Sequence, residues 1–203
     1  MELRCVLRGW GFWGGVLVLL GSCLAAHETG EAAGLLRSEP VRYLLPVAAA
    51  LPCAAAWREQ TVTGFWRPAV SRCGRSSYCF GLLLACWISG AGAVLLALLI
   101  CSALVPLTAQ AASVLRMGLL AGLDALVGLF GGLVFRSRIA AWFTPFLVCF
   151  FLSMVKERYL PRADALDLMR WPAPCVLLAA LLAAAALLNL MQRRLRACSE
   201  KPF

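Results

Sequence analysis

Six apolar runs separated by short connections leave this chain few ways to fold. The runs cover residues 6–26, 41–57, 79–104, 113–135, 139–155 and 173–191. A helix rises 1.5 Å per residue, so about 20 apolar residues cross a hydrocarbon core of about 30 Å. Most of these runs reach or approach that length. The 203 residues are 62% hydrophobic and only 14% charged, whereas soluble domains carry about 25% charged residues. Charge this sparse does not cover a soluble globule. The sequence therefore predicts an all-α integral membrane protein, a single transmembrane domain over residues 1–203 with about six spans. No repeat at a fixed period and no long linker divides it.

The basic residues alternate along the chain. Arg4 and Arg8 precede the first run, and Arg58, Arg67, Arg72 and Arg75 lie between the second and third. Arg136 and Arg138 separate the fourth and fifth, and Arg193, Arg194, Arg196 and Lys201 follow the sixth. Lys and Arg accumulate in loops that stay in the cytoplasm. The pattern predicts both termini inside, in a multi-pass protein of the cell's inner (plasma) membrane. The intervening connections fit the outside. Residues 27–40 set Glu28, Glu31 and Glu39 against Arg37, and residues 105–112 carry no charge. Residues 156–172 are mixed, which weakens the alternation there without reversing it. A net charge of +9 raises nucleic acid as a partner. The bases sit at segment ends rather than on one stripe, so topology and anionic lipid headgroups explain them better.

Within the runs, several residues stand out. The first run also has the layout of a signal peptide, with Leu24-Ala25-Ala26 before His27, and Leu20-Gly21-Ser22-Cys23 resembles a lipoprotein cleavage box. The further spans downstream favour retention as a first span. Pro46 and Pro52 should bend or partly unwind the second span. Ser89-Gly90-Ala91-Gly92-Ala93 in the third supplies small residues that let another helix approach. Asp124 sits in the middle of the fourth and Asn189 near the inner end of the sixth. An acid at membrane depth is a functional candidate by default, while beside Gly122 and Gly128 it also reads as a hydrogen-bonding group towards a neighbouring helix. Residues 163–171 suit a short external interfacial helix anchored by Trp171.

The connection at residues 57–78, WREQTVTGFWRPAVSRCGRSSY, has internal design. Gly64 and Pro68 punctuate it, and Phe65, Trp66, Ala69 and Val70 give a short amphipathic turn. A plain link between spans would not need two large aromatics. It reads as a docking element facing the cytoplasm, a short coupling helix.

Motifs for chemistry are absent from the sequence. It has no G-x-x-x-x-G-K-[ST], H-E-x-x-H or G-x-S-x-G, and its single histidine is His27. A paired-acid membrane protease would need two intramembrane acids, and Asp124 stands by itself. Ten cysteines without a C-x-x-C offer neither a zinc set nor an obvious disulfide framework. Cys23, Cys53, Cys86, Cys101, Cys149 and Cys175 lie in apolar runs, where a thiol packs as a small hydrophobe. Cys73 and Cys79 flank the basic stretch and would stay reduced in the cytoplasm. The sequence predicts no enzyme, no metal and no cofactor.

Residues 43–52 (YLLPVAAALP), Trp57-Arg58-Glu59, Gly64-Phe65, Arg72, Arg75-Ser76-Ser77-Tyr78 and the span opening into Ser89-Gly90 resemble the small permease of bacterial type-2 ABC exporters. The resemblance covers about residues 43–99. It departs from the family's pattern at Leu82, where a Lys is common, and at the single acid Glu59, where paired acids are common. It implies a permease without a nucleotide site of its own. A separate P-loop ATPase subunit would bind Glu59, Phe65, Trp66, Arg67, Arg72 and Arg75. The permease would pair as a homodimer or with a sister permease, the third and fourth spans at that interface, and residues 156–172 would form an external cap. Rival readings are a non-transporting partner, such as an immunity or assembly factor, and a small lipid-active intramembrane enzyme.

Overall fold

A computed structural model describes residues 10–28, 39–52, 60, 62–104, 111–159 and 171–199. All the regular structure among them is helical: α1 (Trp10–Glu28), α2 (Glu39–Ala50), α3 (Trp66–Cys73), α4 (Arg75–Leu104), α5 (Ala111–Phe135), α6 (Arg138–Tyr159) and α7 (Ala173–Ser199). Four of these, α4 to α7, are long and apolar enough to cross a membrane, and α1 and α2 contribute shorter apolar helices. The described residues are thus all-helical, with four candidate membrane-spanning helices by length and composition.

Helix boundaries differ from the apolar runs in an instructive way. α4 starts at Arg75, α6 runs on to Tyr159 and α7 to Ser199, each adding polar turns beyond the apolar stretch. Hydropathy marks where lipid contact ends, whereas backbone hydrogen bonding continues into the headgroup layer. The second run behaves oppositely. α2 ends at Ala50, its last turn closed by Leu51 N–H donating to the Val47 carbonyl (3.1 Å). Pro52 has no N–H to extend the ladder. At 1.5 Å per residue this helix is about 18 Å long, well short of a ~30 Å core. Residues 53–59 lie outside the described residues. So do Arg4, Arg8, Lys201 and residues 163–170 of the expected interfacial helix, whose anchor Trp171 is non-helical.

α5 is the central helix, with 72% of its most apolar window buried, against 17% for α6 and 22% for α7. It packs against α4, α6, α7 and α2. The outer helices turn Phe143, Leu147, Phe151, Leu178 and Leu182 outwards, the apolar surface a helix needs towards lipid.

Small residues set the closest approaches. A Cβ on Gly90 would sit 2.6 Å from the Ala125 Cβ, 2.8 Å from the Ala49 carbonyl oxygen and 3.1 Å from that of Ala121. The small face of the third span thus packs within the chain, on α5 and on the end of α2. Gly122 lies directly under the Trp87 ring, and Gly11 and Gly15 of α1 lie on the Leu51 and Ala48 carbonyls.

Two buried clusters stack along the bundle. One joins Leu19, Leu45, Leu98, Met117 and Val176. The other joins Cys79, Leu82, Leu129, Leu133, Leu187 and Met191. The second cluster therefore lies at the end of the bundle where α4 begins and where α5 and α7 finish.

Candidate functional site

The residues that set this bundle apart from a plain apolar one fall in two places. The first is the end beside the second cluster. Gly64 (φ 70°) and Gly74 (φ 78°) adopt left-handed backbone on either side of α3, a conformation open to glycine at little cost. α3 is closed by Arg67 N–H donating to the Gly64 carbonyl and Gly74 N–H donating to that of Val70. None of its eight residues is fully buried. Trp66 and Val70, with Tyr78, rest against the second cluster. The opposite face of α3 carries exposed charge. α3 is thus a separate short helix rooted by one aromatic edge, at the place where the sequence predicts a short amphipathic helix.

Arg67 lies over the Trp66 ring, 5.6 Å from its centroid, which spreads positive charge across the aromatic face. Arg72 and Arg75 are exposed, and Phe65 is 58% exposed. Glu59 lies outside the described residues. The Tyr78 hydroxyl donates to the Gln60 side-chain oxygen and ties the preceding segment to α4. Replacing Tyr78 by Phe removes that tie while keeping the ring, so we expect a loss of about 1 kcal/mol. Hydrogen exchange should show it as faster exchange confined to residues 60–66.

Other charges share this end. Arg136 takes φ 52° in the α5–α6 turn, next to the exposed Arg138. Gln192 donates to the Ser76 hydroxyl (3.2 Å), which brings the last turns of α7, with Arg193, Arg194 and Arg196, beside the start of α4. Three stretches distant in sequence thus meet as one basic end. The mixed charges Lys156, Glu157 and Arg158 lie at the other end of α6.

The second place is a polar seam inside the bundle. Asp124 is 6% exposed, and its Oδ1 faces the Cys149 thiol at 3.9 Å. One turn along α6, the Ser153 hydroxyl accepts from the Arg42 guanidinium at 3.0 Å. The seam thus runs Asp124, Cys149, Ser153, Arg42, from α5 across α6 to α2. Asn189, the other polar residue noted in a span, is exposed on α7 and forms no part of it. Arg42, Cys149 and Ser153 were not identified as site residues from sequence. The available signal was a charge at the head of a span and the i, i+4 spacing of Cys149 and Ser153.

No family model, curated protein or solved structure matches this chain. Its role rests on what the geometry can do. Among the described residues no group of His, Cys, Asp and Glu could hold a metal ion. The described cysteines are reduced: Cys23, Cys79, Cys86 and Cys101 are buried, Cys149 is half-buried, and Cys73 and Cys175 are exposed. Four of them pack as small hydrophobes.

Proposed function

We propose that this chain is the membrane-spanning permease subunit of an ABC-type exporter. Its six apolar helices would form the bundle, with both termini in the cytoplasm of the cell that carries it in its inner membrane. The observation that carries the reading is α3: a basic helix with exposed side chains, rooted by Trp66 and Val70, at the same end as Arg136, Arg138 and Arg193. Arginine gathered at one end favours that end facing the cytoplasm. A short helix with an exposed polar face is then a docking element for a separate P-loop ATPase subunit, and hydrolysis there would be transmitted through the Gly64 and Gly74 joints to α4. In this reading Phe65, Trp66, Arg67, Arg72 and Arg75 meet the ATPase, directly or with Glu59. The chain performs no catalysis itself, and it acts as a homodimer or beside a sister permease.

Two measurements test this. In a variant keeping Cys73 as its sole cysteine, a membrane-impermeant maleimide should react in inside-out vesicles and not in intact cells. Labelling from outside would reverse the orientation and end the proposal. Tagged protein should also co-purify a P-loop ATPase, and Trp66→Ala with Arg67→Ala should reduce recovery of that subunit at least tenfold while the permease remains folded. Two hot-spot contacts of about 1–2 kcal/mol each suffice for that loss. Purification without any ATPase would instead favour a non-transporting partner.

A further inference from the structure

We propose that a groove between α4 and α7 holds an anionic phospholipid, one acyl chain along its floor and the phosphate at its basic mouth. The groove encloses about 330 Å³ and is walled by Phe80, Leu84 and Trp87 of α4 and by Leu181 and Ala185 of α7, over Leu126 of α5. Its flank is open, with Phe80 60% and Leu181 59% exposed. In a bilayer this opening faces hydrocarbon, so the occupant enters sideways from the lipid.

Three observations favour a lipid of one leaflet over a helix from a second copy. The first is length. From Gln192 at the mouth to Ala180 at the far end, α7 rises about 18 Å at 1.5 Å per residue. Half of a ~30 Å hydrocarbon core is about 15 Å. The groove is one leaflet deep, whereas a packed helix would need an apolar strip through both. The second is the mouth itself. Ser76 lies one turn before Phe80, and Gln192 one turn after Leu188. The bond between them closes the apolar floor with polar groups. The third is charge. Arg196 stands one turn beyond Gln192, and Arg72, Arg75 and Arg193 are exposed at the same end. An apolar slot ending in hydroxyl, amide and guanidinium groups matches an acyl chain ending in a phosphodiester. The surplus of positive charge selects a headgroup with net negative charge over a zwitterionic one. This inference needs the helices to stand in a membrane. It does not depend on the export reading.

Native mass spectrometry of protein extracted from vesicles of equal parts phosphatidylglycerol and phosphatidylcholine tests it. The wild type should keep phosphatidylglycerol as a one-lipid adduct in preference to phosphatidylcholine. Ala185→Trp fills the groove and Leu181→Gln makes its wall polar. Both positions are exposed, so both variants should fold with an unchanged melting temperature and lose the adduct. Arg196→Gln should lower the preference for phosphatidylglycerol about fivefold, the contribution of one basic group near an anionic surface. Equal retention of the two lipids by the wild type would overturn the proposal. So would undiminished adduct in both groove variants, or a dimeric mass that the same variants abolish, which would put a second copy in the groove.

Discussion

Placing a methyl group on Gly90 is expected to destabilise the protein by about 1–3 kcal/mol, while the same change at Gly92 leaves it unharmed. The two glycines belong to one run of small residues and sit two positions apart. A Cβ at Gly90 would meet the Ala125 Cβ at 2.6 Å and the carbonyl oxygens of Ala49 and Ala121 at 2.8 and 3.1 Å. Two of those three neighbours are backbone, which cannot rotate away, so α2 or α5 must shift as a body. Interiors this closely packed do not absorb such a shift. At Gly92 a Cβ meets nothing within 4 Å, and replacing a helical glycine by alanine gains up to about 1 kcal/mol of helix propensity. Valine at Gly90 should be worse than alanine because its added methyls point into the same backbone. Thermal unfolding in detergent, read by loss of the monodisperse peak in size-exclusion chromatography, measures both. A Gly90→Ala variant as stable as Gly92→Ala would mean that α4, α5 and α2 do not meet there.

That contrast also marks how far the sequence could be read. The apolar runs announced helices in a membrane because runs of that length have few other fates. Pro46 and Pro52 announced a disturbed second span, and α2 stops at Ala50. The Gly64, Phe65 and Trp66 stretch announced an amphipathic element, though its second hinge at Gly74 becomes visible only from its φ of 78°. What could not be read is rotation. α4 is apolar on every side, so no stripe distinguishes the face that meets α5 from the face that meets lipid. Ser89-Gly90-Ala91-Gly92-Ala93 was legible as a packing motif, but not which glycine packs. Asp124 was legible as an oddity. Its surroundings were not, because Arg42 and Ser153 are 111 positions apart in the chain, and such a contact leaves no trace in local periodicity. Asn189, noted for the same reason as Asp124, lies on the surface of α7.

The seam carries the second large expectation. Asp124 faces the Cys149 thiol, and Arg42 donates to the Ser153 hydroxyl one turn further along α6, so two ionisable side chains from α5 and α2 meet the same stretch of α6. A carboxylate or a guanidinium at membrane depth is expensive without a countercharge. Where two such groups compensate each other, removing one weakens the compensation of the other, and for buried pairs that loss reaches about 3–5 kcal/mol. We therefore expect Asp124→Leu and Arg42→Met each to lower the melting temperature in detergent, and the double variant to recover much of the loss. Exchange of buried ionic groups for well-packed apolar ones is commonly neutral or better. The decisive quantity is the coupling between the two sites, which should fall at about 1–3 kcal/mol, above the 0.3–0.5 kcal/mol within which independent sites add. Asp124→Asn sharpens the reading, because it keeps the shape and the acceptor facing Cys149 while removing the charge. If it behaves like Asp124→Leu, charge compensation holds α2 against α5 and α6. If it behaves like the wild type while Asp124→Leu does not, the thiol hydrogen bond and the shape of the carboxyl are what matter. Additive effects of the Asp124→Leu and Arg42→Met changes would show that the seam is two unrelated contacts, and that α2 is held by its packing on Gly11, Gly15 and Gly90 instead.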